Sequence, residues 1–183
     1  MPAPTLHTPR LTLRAHVMGD LEQLCDLFET DRAQHMGGPI PRKAAWRWLA
    51  SEVAMWDLIG HGAWGIETRE GDFVGQVGLL QPPHFPEREL GWTLLDHAEG
   101  KGYATEAATA ALHWAWEQGF DTLVSYIDPA NDRSIALAKR LGAHHDAAAP
   151  LPEGEVQIRF DVDDGFVLGN GEIAETGQAL AAQ

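Results

Sequence analysis

The stretch from Glu89 to Gly119 constrains the chain more than any other. Glu89-Leu90-Gly91-Trp92-Thr93-Leu94-Leu95 reads as a strand, an alanine-rich segment from about Tyr103 to Gln118 reads as a helix ended by Gly119, and Gly100-Lys101-Gly102 joins them. Two glycines let the backbone turn sharply and approach a ligand, leaving main-chain amides pointing outward. The helix start adds unpaired N–H groups and the positive end of a dipole. Gly100, Lys101, Gly102, Tyr103, Ala104 and Thr105 can therefore cradle a pyrophosphate, although a glycine pair before a helix is also an ordinary tight turn. Two other phosphate loops are excluded. The third glycine of a dinucleotide fingerprint would fall at Thr105, with no acidic residue closing a second strand about twenty residues on, and no Gly-Lys-Ser/Thr run exists.

The flanking segments alternate between the two periods. Leu11 and Leu13 alternate with Thr12 and Arg14, predicting a half-buried strand. After Gly19-Asp20, Leu21, Leu24, Cys25, Leu27 and Phe28 recur at helical spacing, and Gly37-Gly38-Pro39 breaks the chain. A second helix from Pro41 places Trp46, Leu49, Val53 and Trp56 on one stripe, with core packing the default for at least two of Trp46, Trp48 and Trp56. Ala63–Ile66 and Phe73–Leu80 flank Glu70-Gly71-Asp72 as a hairpin. Leu123–Ile127 is a strand, Asn131–Leu141 a helix closed by Gly142, and Val156–Val162 the last strand. Trp114 and Trp116 cannot both face the core of one helix. His144-His145-Asp146 reads as a loop rather than a metal site, because adjacent side chains of an extended segment point to opposite faces. Residues 163–183 have weak periodicity and several glycines, which predicts a loosely held tail. No repeat or linker divides the chain. The expectation is one α/β domain.

Composition narrows the function classes. The 183 residues carry 13 Lys and Arg against 27 Asp and Glu, a net charge of −14. Residues 1–60 are nearly balanced at −1, so residues 61–183 hold −13. Nucleic acid needs a basic stripe to replace its counterions, and none is visible. A cationic substrate would be drawn to such a surface, though a solvated acidic face that maintains solubility is the default reading. Cys25 stands alone, which excludes an internal disulfide or a thiolate metal cluster and fits a reducing compartment. The longest charge-free run, Phe73 to Pro86, is broken by Gly75, Gly78, Pro82 and Pro83 and is too short to span a bilayer. Met1-Pro2-Ala3-Pro4 lacks the basic start and apolar core of a signal peptide. A cytoplasmic protein is expected.

Three separated pieces agree in order and spacing with a known family. Glu89-Leu90-Gly91-Trp92-Thr93-Leu94, then Gly100-Lys101-Gly102-Tyr103-Ala104-Thr105-Glu106-Ala107, then Asn131 with Ser134 and Leu141-Gly142-Ala143 closely resemble the GNAT superfamily of acyl-CoA N-acyltransferases. The opening Thr8-Pro9-Arg10-Leu11-Thr12-Leu13-Arg14, with Asp20 shortly after, is similar to the branch typified by the bacterial ribosomal-protein N-terminal acetyltransferases RimJ and RimL. The resemblance covers residues 8–162. It implies a mixed, mostly antiparallel α/β (α+β) sheet flanked by helices, whose two central strands splay apart to admit acetyl-CoA, with no metal. It also implies that the backbone of Trp92, Thr93 and Leu94 pairs with the pantetheine arm and that amides from His97 to Tyr103 hold the pyrophosphate. Asn131 and Ser134 then face the arm from the other side. Arg133, Lys139 and Arg140 either meet adenosine phosphates or belong to a solvated face. Two departures stand out. His97 replaces the usual Gln or Arg, and the tyrosine that often serves as general acid falls at Ala138, a loss common in the RimJ/RimL branch.

Acetyl transfer to an amine needs a neutral amine, a polarised thioester carbonyl and alignment of the two. A backbone N–H near Trp92 to Leu94 can stabilise charge developing on the carbonyl oxygen. Glu89 is the candidate base, with a substrate-ammonium clamp or a surface carboxylate as the competing readings, and Ser125 and Tyr126 are candidate proton-shuttling groups. Cys25 is poorly placed to act as a nucleophile. The expected activity is transfer to a primary amine, on a protein N-terminus or a small molecule, by direct attack in a ternary complex. The alternative is a non-catalytic acyl-CoA-binding or regulatory module. The expected state is a monomer or homodimer, with neither nucleic acid nor membrane as partner.

Overall fold

The computed structural model describes residues 2–146 and the backbone of 158–162. The expected tail and the first two residues of the expected last strand lie outside the described residues. Among the described residues there are four α-helices: α1 (Met18–Phe28), α2 (Arg42–Ile59), α3 (Tyr103–Glu117) and α4 (Asp132–Arg140). The strands are β1 (Leu6–His7), β2 (Leu11–Arg14), β3 (Ala63–Thr68), β4 (Phe73–Leu80), β5 (Glu89–Leu94), β6 (Leu123–Ile127), β7 (His144–His145) and β8 (Ile158–Val162). They form one sheet in the order β1-β2-β3-β4-β5-β6-β8-β7. Every neighbouring pair is antiparallel except β5 with β6, the mixed, mostly antiparallel sheet expected.

Helices cover both faces of the sheet. Val77, Leu79 and Leu90 share a core with Ala107, Ala108, Ala111, Leu112 and Ala115 of α3, where small alanines let the helix approach the strands. Trp56, Trp64 and Trp114 pack edge to face in that core, with centroids 4.6 to 5.4 Å apart. Trp114 is buried in this core, and Trp116, half-buried, also packs against it, so both touch the core where the sequence led us to expect only one. On the other face, Met55 of α2 meets Ala63 and Leu80.

Three sequence expectations are corrected. Helix α1 begins at Met18, before Asp20, because the Asp20 carboxylate accepts from the N-cap N–H of Val17 at 3.0 Å and from Arg14 at 2.6 Å. The stripe on α2 is rotated: Ala45, Leu49, Glu52, Met55 and Trp56 are buried, whereas Trp46 and Trp48 are 44% and 37% exposed. Only one of the three tryptophans there is core. His144-His145 is not a loop but a two-residue strand, pairing with Asp161 and Phe160 of β8, a long-range partner that local sequence does not show.

Candidate active site

The site begins where β5 and β6 part. They share one register pair, Glu89 with Val124, and Val124 N–H donates to Arg88 C=O at 3.0 Å. In a continued parallel ladder, Tyr126 N–H would next donate to Leu90 C=O. Both groups are instead taken by side chains. Ser125 Oγ donates to Leu90 C=O at 2.7 Å, and Glu89 Oε1 accepts from Tyr126 N–H at 3.2 Å. The strands therefore separate with neither buried backbone group orphaned. Main-chain direction alternates along β5, so Trp92 and Leu94 face the opened edge while Thr93 faces β4. Arg32 Nη2 donates to Leu94 C=O at 3.1 Å on that edge, leaving the N–H and C=O of Trp92 and the N–H of Leu94 along it. What Thr93 offers the cleft is its side chain.

A cavity fills the fork. Glu89, Trp92, Thr93, Ser125, Asn131 and Ser134 all line it. Asn131 caps α4, its side-chain oxygen accepting from Ser134 N–H at 3.1 Å, so its NH2 is what it can give a ligand. Trp92 Nε1 reaches Ser134 Oγ at 3.3 Å across the gap. His97 and residues Gly100 to Thr105 do not line this cavity. They continue the same edge beyond it, through the short turn Asp96–Ala98 to the α3 N-terminus.

Along that continuation, among the described residues, the main-chain N–H groups from Gly100 to Thr105 donate to no backbone carbonyl; the first bond of α3 is Glu106 N–H to Gly102 C=O at 3.1 Å. Gly102, the N-cap, has φ +78°, a conformation that favours glycine. The opening Thr8-Pro9-Arg10 motif docks here: Thr8 Oγ1 and Arg10 N–H donate to Glu106 Oε1 at 2.6 and 2.8 Å, and Arg10 Nη1 donates to Lys101 C=O at 2.8 Å. Burial pushes the Glu106 carboxyl up, but these donors outweigh it and hold it below its ordinary value. Behind the loop, Glu99 accepts from Arg32 and Arg133 at 2.6 Å each, and Arg140 Nη1 reaches Thr105 Oγ1 at 3.3 Å. Here too burial opposes and the two guanidiniums prevail, keeping the Glu99 carboxyl low. Lys139 is exposed, and Ala138 is buried in the core.

Sequence reasoning missed four residues around the cavity. His35 and Asp128 both line it, with His35 Nδ1 and Asp128 Oδ2 2.6 Å apart, and that hydrogen bond lowers the Asp128 pKa. Gln76 of β4 lines the wall and donates through Nε2 to Glu52 Oε2 at 2.7 Å. Glu52 is 2% exposed, and burial raises its carboxyl to about 7 despite the donors of Gln76 and Trp48. Among the described residues, no group of His, Cys, Asp and Glu could hold a metal ion, and no helix is long and apolar enough to cross a membrane.

Known proteins share this fold. An acetyltransferase from Agrobacterium tumefaciens superposes with TM-score 0.83 at 40% identity, over 88% of this chain and 95% of its own. YkkB of Bacillus subtilis, an uncharacterized protein, is 35% identical over 146 residues, 76% of this chain and 85% of YkkB. RimL, a ribosomal L7/L12 alpha-N-protein acetyltransferase in complex with coenzyme A, shares the fold with TM-score 0.69 at 15% identity, over 90% of this chain and 100% of its own. The family model for the acetyltransferase (GNAT) domain matches residues 10–144, spanning the fork, the glycine loop and α4, and the chain belongs to that family as an acyltransferase.

Proposed function

We propose that the chain is an acetyl-CoA-dependent N-acetyltransferase that moves acetyl to a primary amine by direct attack in a ternary complex. The observation that carries this reading is the unpaired edge of β5 beyond Glu89, continuous with the free amides from Gly100 to Thr105. An extended arm can add to such an edge, and a pyrophosphate suits the N-terminal amides of α3. The acidic chain needs this local construction, since its overall charge repels phosphate.

Acetyl-CoA supplies the thioester carbonyl. The N–H of Trp92 or Leu94 donates to the carbonyl oxygen as negative charge develops there. The amine nitrogen forms the new C–N bond, the C–S bond breaks, and the proton leaving nitrogen balances the one the thiolate requires. Glu89, at the fork, takes the amine proton directly or through water. Ser125 already donates its proton to Leu90, so its part in this reading is to hold the fork open. With Ala138 in the tyrosine position, no phenol there supplies the thiolate proton.

Calorimetry with acetyl-CoA, followed by thiol release with a panel of primary amines, tests the reading. Binding followed by amine-dependent thiol release is expected. Binding without release from any amine would favour the acyl-CoA-binding module, and failure to bind would remove both.

A further inference from the structure

On the face of the sheet covered by α1 and α2, two glycines stand opposite each other. Gly78 of β4 pairs with Gly91 of β5; Leu80 covers Gly78, where a Cβ would lie 2.9 Å from Leu80 Cδ2, while Gly91 lines the cavity and is the floor of a slot there. A Cβ on Gly91 would lie 3.6 Å from Leu80 Cδ1 and 3.8 Å from Glu89 Oε2, at one end of that slot. The register places Gln76 and Thr93 at the other end. Phe28 and Trp48, packed edge to face at 4.7 Å, close it from the helix side.

Phe28, Trp48 and Leu80 make part of this lining apolar, and a polar atom buried against them needs a partner. Gln76 is 7% exposed, and its Oε1 is buried with no hydrogen-bond partner among the described residues. Its Nε2 is committed to Glu52. Above pH of about 7 the Glu52 carboxyl is ionised and only accepts, so there it dictates that the amide turns NH2 toward α2 and presents oxygen elsewhere. Gln76 stands level with Thr93, between Trp92 and Leu94, whose N–H groups face the open edge. A hydrogen-bond acceptor without a donor, at the height where the carbonyl would be held, matches an amine and not a thioester.

We propose that Gln76 recognises the acceptor, its side-chain oxygen taking an N–H of the amine nitrogen, and that Glu52 is a positioning residue that sets the orientation of that amide. The inference rests on the amine-transfer reading above. The bond aims the nitrogen lone pair, because one N–H is held while the lone pair remains free to attack.

The test uses the full chain, acetyl-CoA and whichever of a panel of alkylamines, polyamines, arylalkylamines and short peptides the wild type acetylates best. Gln76→Leu should raise the amine KM by about tenfold while the acetyl-CoA Kd stays within about twofold. Glu52→Gln keeps a carbonyl oxygen for Gln76 Nε2 and should hold the amine KM within about threefold of wild type, whereas Glu52→Leu should raise it by about tenfold. Should Gln76→Leu fail to fold with Glu52 left beside it, the double variant Glu52→Leu/Gln76→Leu makes both positions apolar and carries the same KM measurement. Unchanged amine KM in Gln76→Leu or the double variant overturns the recognition role. Glu52→Gln failing as badly as Glu52→Leu overturns the positioning role. A wild type that binds acetyl-CoA but acetylates no amine overturns the underlying reading, an outcome distinct from turnover that ignores Gln76.

Discussion

Glu89 and Tyr126 are joined at the point where the central strands separate, the carboxylate oxygen Oε1 of one accepting the main-chain N–H of the other at 3.2 Å. In a regular parallel ladder that N–H would belong to Leu90. One side chain thus stands in the cavity and also replaces a ladder bond, so a variant must separate the two roles. Glu89→Gln keeps an oxygen for Tyr126 and removes the basicity. It should lower kcat by about 10²–10⁴-fold, with acetyl-CoA affinity nearly unchanged. A raised amine KM at unchanged kcat would make Glu89 a substrate clamp. Comparing acceptors of different pKa assigns the pH limbs, since a limb that follows the acceptor belongs to the amine.

Ser125 is the other half of the fork. Ser125→Ala leaves Leu90 C=O buried without its donor, at a cost of about 1–3 kcal/mol in stability. That loss is expected in denaturant melts, with the amine KM close to wild type. A stable variant with kcat reduced a hundredfold would return Ser125 to a proton-transfer role.

Cofactor affinity should depend on the backbone at Gly102. At φ +78° a β-branched residue is strained by roughly 1–2 kcal/mol, and a Cβ there lies 3.3 Å from Arg10 Nη2. Gly102→Val should therefore weaken acetyl-CoA binding severely and also lower the melting temperature modestly. Calorimetry on the folded variant decides: wild-type affinity would take the loop out of the site.

What was legible in the sequence was local. The strand, glycine turn and helix from Glu89 to Glu117 are written in consecutive residues, and so are the cap at Asn131 and the hairpin of β3 and β4. Contacts across the chain were not. Thr8 and Arg10 reach Glu106, and His35 reaches Asp128, through closures that no spacing reports. Glu52 and Gln76 did leave a signal. Glu52 lies three residues after Leu49 and four before Trp56, on the buried stripe, and Gln76 is the one polar side chain in Phe73–Leu80. A carboxylate on a core face and an amide in an apolar strand each require a partner, and here they are each other's. The expectation that at least two of Trp46, Trp48 and Trp56 are core misled because tryptophan is large and apolar, and Trp56 alone is buried. Trp48 instead covers the slot.

The Glu52 carboxyl also sets a pH dependence. Its pKa rises from 4.5 in the unfolded chain to about 7 in the folded one, because burial penalises the ionised form more than Gln76 and Trp48 favour it. The folded state therefore holds a proton that the unfolded state has released between these values, and stability falls as pH rises from 4.5 toward 7, then levels. A shift of this size corresponds to roughly 3 kcal/mol across the window. Asp20 acts in the opposite sense. Burial alone would raise its pKa, but His16, Arg14 and the Val17 N–H hold it well below the usual carboxylate range, so its contribution is lost only as pH falls below about 4. The wild type should thus be most stable in mildly acid solution. Glu52→Gln removes the descending limb and should be the more stable protein at pH 8, with little difference near pH 4.5. Denaturant melts of both proteins from pH 4 to 8 check this. Parallel curves would mean that Glu52 titrates in the folded chain as it does in the unfolded one, whereas convergence toward low pH is the signature of a carboxyl that folding has forced to keep its proton.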